Sequence, residues 1–201
     1  GALTPAGGVW THLASTVLPE YLRNSAILAV GAGGLALLIG VTAAWLVATC
    51  DFPGRRVLEW ALVLPLSMPA YIAAYTWAGI LDMTGPVQRA MRAFVPGMAD
   101  AYYSLPILRI ETAVVLFALV LYPYVYLMAR AAFLGQSRAA LEAARTLGEG
   151  GWQTFRRVAL PLARPALAAG VSLVVMEILN DYGAVSYFGV PTFTTGIFRS
   201  W

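Results

Sequence analysis

Charged side chains are missing from three long stretches of this chain: residues 26–50, 60–81 and 112–129. The third stretch extends over 110–134 with only Glu111 and Arg130 near its ends. A fourth, from Pro165 to about Phe188, is apolar but carries Glu177 and Asp181. A helix needs about 20 apolar residues to cross a hydrocarbon core about 30 Å thick. Helices of soluble proteins average about 11–12 residues and keep a polar face. The pattern therefore predicts an all-α, polytopic transmembrane helical bundle with four spans, at about 25–50, 58–81, 110–134 and 165–188. The whole chain, 1–201, reads as a single membrane domain.

The segments between the spans differ. Residues 51–59 read as a tight turn. Residues 82–109 are longer, with Gly85-Pro86, Pro96-Gly97 and Pro106, and leave room for a short helix at Val87–Phe94. Residues 135–164 are the most polar. Placing 51–59 and 130–164 on one side gathers Arg55, Arg56, Arg130, Arg138, Arg145, Arg156, Arg157 and Arg164 there. The other side keeps Arg23, Arg89, Arg92, Arg109 and Arg199. The positive-inside rule then puts 51–59 and 135–164 in the cytoplasm, and the amino-terminal segment and 82–109 outside. Pro65, Pro69 and Pro123 fall inside spans, as kinks for packing or as flexible points. Gly31, Gly33, Gly34 and Gly40 allow close helix approach. They follow no strand and are not a nucleotide fingerprint.

Composition agrees. The chain is 60% hydrophobic and 11% charged, against about 25% charged in soluble domains, and its mean hydropathy is +0.72. A soluble enzyme, a disordered tail and a disulfide scaffold fit poorly. The single cysteine, Cys50, forms no internal disulfide and supplies no thiolate cage. The net charge of +3 is too weak to argue for nucleic acid. No lysine and no phosphate-binding loop are present, so ATP chemistry belongs elsewhere. His12, the lone histidine, with no cysteine near it and Glu20 as its nearest acid, is a weak candidate for a metal ligand, and no metal or cofactor is implied. No catalytic constellation emerges. Residues 1–20 lack the pattern of a signal peptide. Opening at Gly1 and stopping at Trp201 within an unpunctuated run, the sequence is expected to be a piece of a longer protein. Glu177 and Asp181, four residues apart, would share a helix face. Intramembrane acids usually face a cavity or pair with a neighbour, so they read either as a gate or pathway element or as a hydrogen-bond site to another span.

Within 137–164, Ser137 to Leu147 is rich in helix formers, and Gly148 with Gly150-Gly151 stops it. A second amphipathic stretch follows, with Trp152, Phe155, Val158, Ala159 and Leu162 at helical spacing. Pro161 and Pro165 are expected to break or kink the chain before the fourth span. Such a helix could rest on lipid or fit a groove on a partner. The run Glu142-Ala143-Ala144, three residues, Gly148, nine residues, Val158, one residue, Leu160-Pro161 resembles the EAA loop of bacterial ABC importer permeases. That resemblance implies a coupling helix docking on a cytosolic ABC ATPase dimer. Glu142 would face charged groups of the ATPase and Gly148 would make the turn. Trp152, Phe155 and Pro161 would set the helix against the membrane domain.

Residues 10–25, 60–77, 121–133 and 176–201 resemble the first half of ferric-iron permeases. The resemblance implies a permease subunit of an ATP-driven importer in the bacterial inner membrane. Its expected partners are a second permease half, a periplasmic or extracellular solute-binding protein and membrane lipid. Permeases for sulfate, polyamine or thiamine share the loop and remain alternatives, as does an ATP-independent carrier.

Overall fold

The computed structural model describes residues 17–82, 85–94, 108–136, 148 and 150–200, and every regular element among them is helical. These are α1 (Leu18–Thr49), α2 (Arg55–Ala61), a 3-10 turn (Leu64–Ser67), α3 (Ala70–Leu81), α4 (Pro86–Phe94), α5 (Ile110–Gly135), α6 (Gly151–Asn180), α7 (Gly183–Tyr187) and α8 (Phe193–Ser200). At 1.5 Å per residue, α1, α5 and α6 each exceed the about 30 Å of a hydrocarbon core. Three described helices are thus long and apolar enough to cross a membrane, or up to four if the broken pair Arg55–Ser67 and Ala70–Leu81 is one span. Leu22, Val30 and Leu38 on α1, and Leu162 and Met176 on α6, are more than half exposed. Bare aliphatic surface of that extent is what lipid covers. The chain is an all-α, multi-pass membrane protein.

Two of the expected spans take a different form. The 58–81 run is not one helix. Its helical path stops at Ser67, Met68 is extended (φ −107°, ψ 120°), and α3 restarts after Pro69. The residue before a proline is driven out of the helical region, and apolar composition alone does not reveal that. The fourth run begins earlier and ends earlier than 165–188. Its helix starts at Gly151, passes through both Pro161 and Pro165, and ends at Asn180. Residues 183–187 form a separate helix. In the 82–109 segment the short helix spans Pro86–Phe94.

By contacts the chain divides into two compact units, one of residues 1–31, 69–116 and 178–201, the other of 32–68 and 117–177. In the first, α7 packs on α3. Gly183 lies so close to Tyr71 that a Cβ would clash, and the rings of Tyr75 and Tyr187 meet edge to face at 6.1 Å. The last residues are tied by polar bonds. Asn24 Nδ2 donates to the Pro191 carbonyl (3.0 Å), and the buried Thr195 hydroxyl accepts from the Thr192 amide (2.7 Å).

In the second unit α5 is the centre. Phe117, Val125, Tyr126 and Ala129 are fully enclosed. Gly40 of α1 fits against the Tyr122–Tyr126 backbone, and Gly170 of α6 against Val125 Cα. Without side chains at those two positions the helix backbones come together and gain dispersion contacts that lipid cannot offer. The hydroxyls of Thr42 and Thr49 bond back to the carbonyls of Leu38 and Trp45, both at 2.7 Å, which removes their need for water.

Candidate functional site

In the second unit, the carboxyl ends of α1 and α5 meet the amino end of α6, and α5 also meets α2 at Glu59. Trp45, one turn from the end of α1, lies 5.3 Å from Phe133 of α5 and 4.9 Å from Phe155 of α6, centroid to centroid. Phe133 and Phe155 meet at 6.3 Å, and Trp152 stacks on Phe155 at 5.4 Å. Phe155 is buried, while Trp152 remains largely exposed. Offset and edge-on rings of this kind add to the apolar area they bury. Gln136, just beyond α5, donates to the Ala159 carbonyl at 2.8 Å. Both flanks of the polar segment are therefore fastened: Gln136 on one side, Phe155 and Ala159 on the other.

The amino end of α6 is built locally. The Gly150 amide donates to Gln153 Oε1 (3.1 Å), and the Thr154 hydroxyl donates to the Gly150 carbonyl (3.2 Å). Gln153 thus satisfies an amide at the helix start, as the third residue of a capping box does. Residues Phe155–Ala159 form a π turn in which the Leu160 amide reaches back to the Phe155 carbonyl. Of the predicted apolar face, Phe155 and Ala159 are buried, Val158 is half-buried, and Trp152 and Leu162 face outward. Arg156 and Arg157 are exposed, as their position off that face predicts.

Gly148 has φ +85°, a left-handed conformation suited to glycine. Leu160 and Pro161 lie half-buried in the continuous α6. Glu142, Ala143 and Ala144, with Ser137 to Leu147 as a whole, lie outside the described residues, and so does His12. Among the described residues no group of three His, Cys, Asp or Glu side chains gathers as a metal site would.

Glu177 and Asp181 do not share a helix face. Glu177 is exposed on the last turn of α6 and accepts from the Tyr124 hydroxyl at 3.3 Å. Asp181 lies past the helix end, where its Oδ1 accepts the Ala184 amide (2.8 Å) and the Val185 amide (3.3 Å) and so caps α7. A carboxylate at that place also suits the positive end of a helix dipole.

Three polar side chains not singled out by the sequence reading belong to this junction. Glu59 of α2 pairs with Arg130 of α5, and the Tyr126 hydroxyl donates to the Glu59 carbonyl at 3.3 Å. Gln136 is the third. Their signal in the sequence is weak: Glu59 and Arg130 are simply charges beside apolar runs. Residues 51–59 are not all turn: helix α2 begins at Arg55, and an open depression of about 550 Å³ is lined by Asp51, Phe52 and Gly54 and by the start of α2, with Arg55, Arg56 and Glu59 on its wall. The exposed Asp51–Arg55 pair (2.6 Å), from the turn to the first residue of α2, contributes little stability.

Long apolar helices with bare aliphatic surface, joined by an arginine-bearing polar segment, define an integral membrane protein. The class is that of a transport-system membrane subunit. The chain belongs to the family of binding-protein-dependent transport system inner membrane components, which it matches over residues 36–199. It is 29% identical to the molybdenum transport system permease protein of Escherichia coli, over 85% of this chain and 72% of that one. It is 32% identical to a sulfate transport system permease protein of Escherichia coli, over 89% of this chain and 58% of that one. It is 26% identical to an Fe(3+)-transport system permease protein of Haemophilus influenzae, over 92% of this chain and 32% of that one. The chain spans from about a third to about three quarters of the length of these relatives. The relatives are permease subunits of ABC importers, in which the ATPase is a separate subunit, and a permease subunit is not itself an enzyme.

Proposed function

We propose that this chain forms the membrane pathway of an ATP-driven importer, and that residues 137–164 couple it to a cytosolic ATPase dimer. Closure of the dimer on ATP pulls on this segment, α5 and α6 follow, and the pathway alternates between inward and outward access. A solute-binding protein delivers the solute, and a second permease half completes the pathway. Glu142, Ala143, Ala144, Gly148, Leu160 and Pro161 carry the coupling contact. Glu177 acts as a pathway element; Asp181 contributes there by fixing α7. The observation that carries the reading is the anchoring of the polar segment, between Gln136 bound to Ala159 and the left-handed turn at Gly148. The Gln136–Ala159 bond ties the end of α5 to α6, so force arriving at either flank of the segment is shared by both helices.

The solute is ferric iron on this reading, from the likeness of residues 10–25, 60–77, 121–133 and 176–201 to ferric-iron permeases. Sulfate is the second reading, favoured by the 32% identity to a sulfate permease. Co-purification of the complete protein with its ATPase tests the coupling. Retention in wild type and loss with Glu142→Arg is the expected result. No retention in wild type would remove the coupling helix and leave an ATP-independent carrier. Uptake of radiolabelled ferric iron and sulfate, each with its binding protein, then separates the two solutes.

A further inference from the structure

α2 is seven residues long, the 3-10 turn after it four, and none of these residues is buried. A helix this short has little stability of its own. Two contacts from one residue hold it to α5. The Glu59 carboxylate pairs with Arg130, and the Glu59 carbonyl accepts from Tyr126, which is wholly enclosed. Both charged side chains are about three-quarters buried, at 24% and 28% exposure. The Arg130 Nε is buried without a hydrogen-bond partner among the described residues. A guanidinium in that setting depends on its carboxylate, because an uncompensated charge out of water is costly. The same stretch of α5 that grips α2 also grips the start of α6, through Phe133 on Phe155 and Gln136 on Ala159. The polar segment leaves α5 directly after Gln136.

We infer that Glu59 and Arg130 are positioning residues that make α2 travel as one body with the coupling segment. This inference rests on the coupling function proposed above. Force applied to residues 137–149 reaches α5 at Gln136. The ion pair passes it to α2, whose residues are exposed or half-buried and have little packing of their own to follow by. The pair thus stays closed throughout the transport cycle and is not a latch that opens.

The test uses the full-length protein with its ATPase and binding protein in proteoliposomes, and measures solute delivered per ATP hydrolysed. The probe is radiolabelled ferric iron, or sulfate if sulfate is what the wild type takes up. Glu59→Gln and Arg130→Gln are expected to retain the ATPase yet lower the solute-to-ATP ratio about fivefold or more, the lower end of ordinary coupling energies. The exchange Glu59→Arg with Arg130→Glu is expected to recover it. A merely structural role would lower yield without moving that ratio. A native ratio in both single variants overturns the inference. A second measurement guards against misfolding of the exchange. In a Cys50→Ser background, Glu59→Cys with Arg130→Cys is uncoupled until a short thiol cross-linker joins the two positions, and recovers once joined. Cross-linking that blocks transport shows that the pair must part, and overturns the inference. Failure of the wild type to hold the ATPase instead sinks the coupling function itself, and this inference with it.

Discussion

Gly40 gives the most direct measure of how tightly the helices pack. A Cβ placed there would stand 2.8 Å from Val125 Cβ, and 2.9 Å from both the Tyr122 carbonyl oxygen and the Tyr126 nitrogen. Ordinary contact begins near 3.4 Å, and two of these three atoms are backbone, so α1 and α5 must separate by about half an ångström. Overpacking of this kind costs about 1–3 kcal/mol. Replacing a helical glycine by alanine also contributes up to about 1 kcal/mol of helix propensity, which offsets part of the loss. Gly34 isolates that gain, since nothing lies within 4 Å of its added Cβ. The difference between Gly40→Ala and Gly34→Ala is therefore the overpacking alone. At roughly 2–4 °C per kcal/mol for a chain of this size, the two variants should unfold about 2–12 °C apart in detergent, Gly40→Ala below wild type and Gly34→Ala level or above. Gly31→Ala belongs between them, because it meets only the methyls of Val114, at 3.1 and 3.3 Å, and these can turn. Thermal unfolding followed by fluorescence-detected size exclusion gives the order. Equal unfolding temperatures for the Gly40 and Gly34 variants would refute the close α1–α5 approach.

Gly148→Pro fixes φ at about −65° where the chain needs +85°. Transport should fall to background while membrane insertion, read by protease protection of the tagged protein, stays normal. Asp181→Ala removes the cap of α7 and should lower stability by about 0.5–2 kcal/mol, read as a lower unfolding temperature. Asp181→Asn keeps an acceptor oxygen, so it should retain most of the cap, and its normal uptake would assign Asp181 to structure and not to a charge in the pathway. Phe155→Ala opens the ring cluster with Trp45 and Phe133 and should cost about 3–5 kcal/mol. An unfolding temperature within 2 °C of wild type, on the same scale of degrees per kcal/mol, would contradict its anchoring role.

The long helices were legible because lipid-facing spans need only absence of charge, and that absence is plain in 26–50 and 112–129. The π turn was not. At its end the Ala159 carbonyl accepts from Gln136, 23 residues earlier, a contact no local pattern encodes. The pairing of Glu59 with Arg130 spans 71 positions and was hidden for the same reason. Asp181 shows a different limit. Four-residue spacing from Glu177 implies a shared face only while the helix lasts, and the helix ends one residue too soon. The turn at Gly148 was legible through glycine. The left-handed turn that Gly148 makes is a backbone demand, and glycine is the residue that meets it without a Cβ penalty.

Proline placement makes the division between local pattern and packing explicit. Pro65 and Pro69 stand four apart, and so do Pro161 and Pro165. In each pair the second proline lacks the amide that would bond the carbonyl of the first. At the first pair the chain abandons the helix: the Met68 amide takes the Pro65 carbonyl at 3.2 Å in a tighter turn, and Met68 itself extends. At the second pair the helix continues through both prolines. The residues before the break, 55–67, hold no buried side chain, so straightness there would gain no packing. Around the second pair Ala159 and Ala163 are wholly enclosed. The π turn shifts the backbone register just before Pro161, relieving the clash its ring would make with the carbonyl four residues back. Burial of one face thus holds a helix together across two missing hydrogen bonds, and its absence lets an identical spacing become a break. A proline pair in a membrane span reads as a hinge or as a continuous helix according to what its flanking small residues touch.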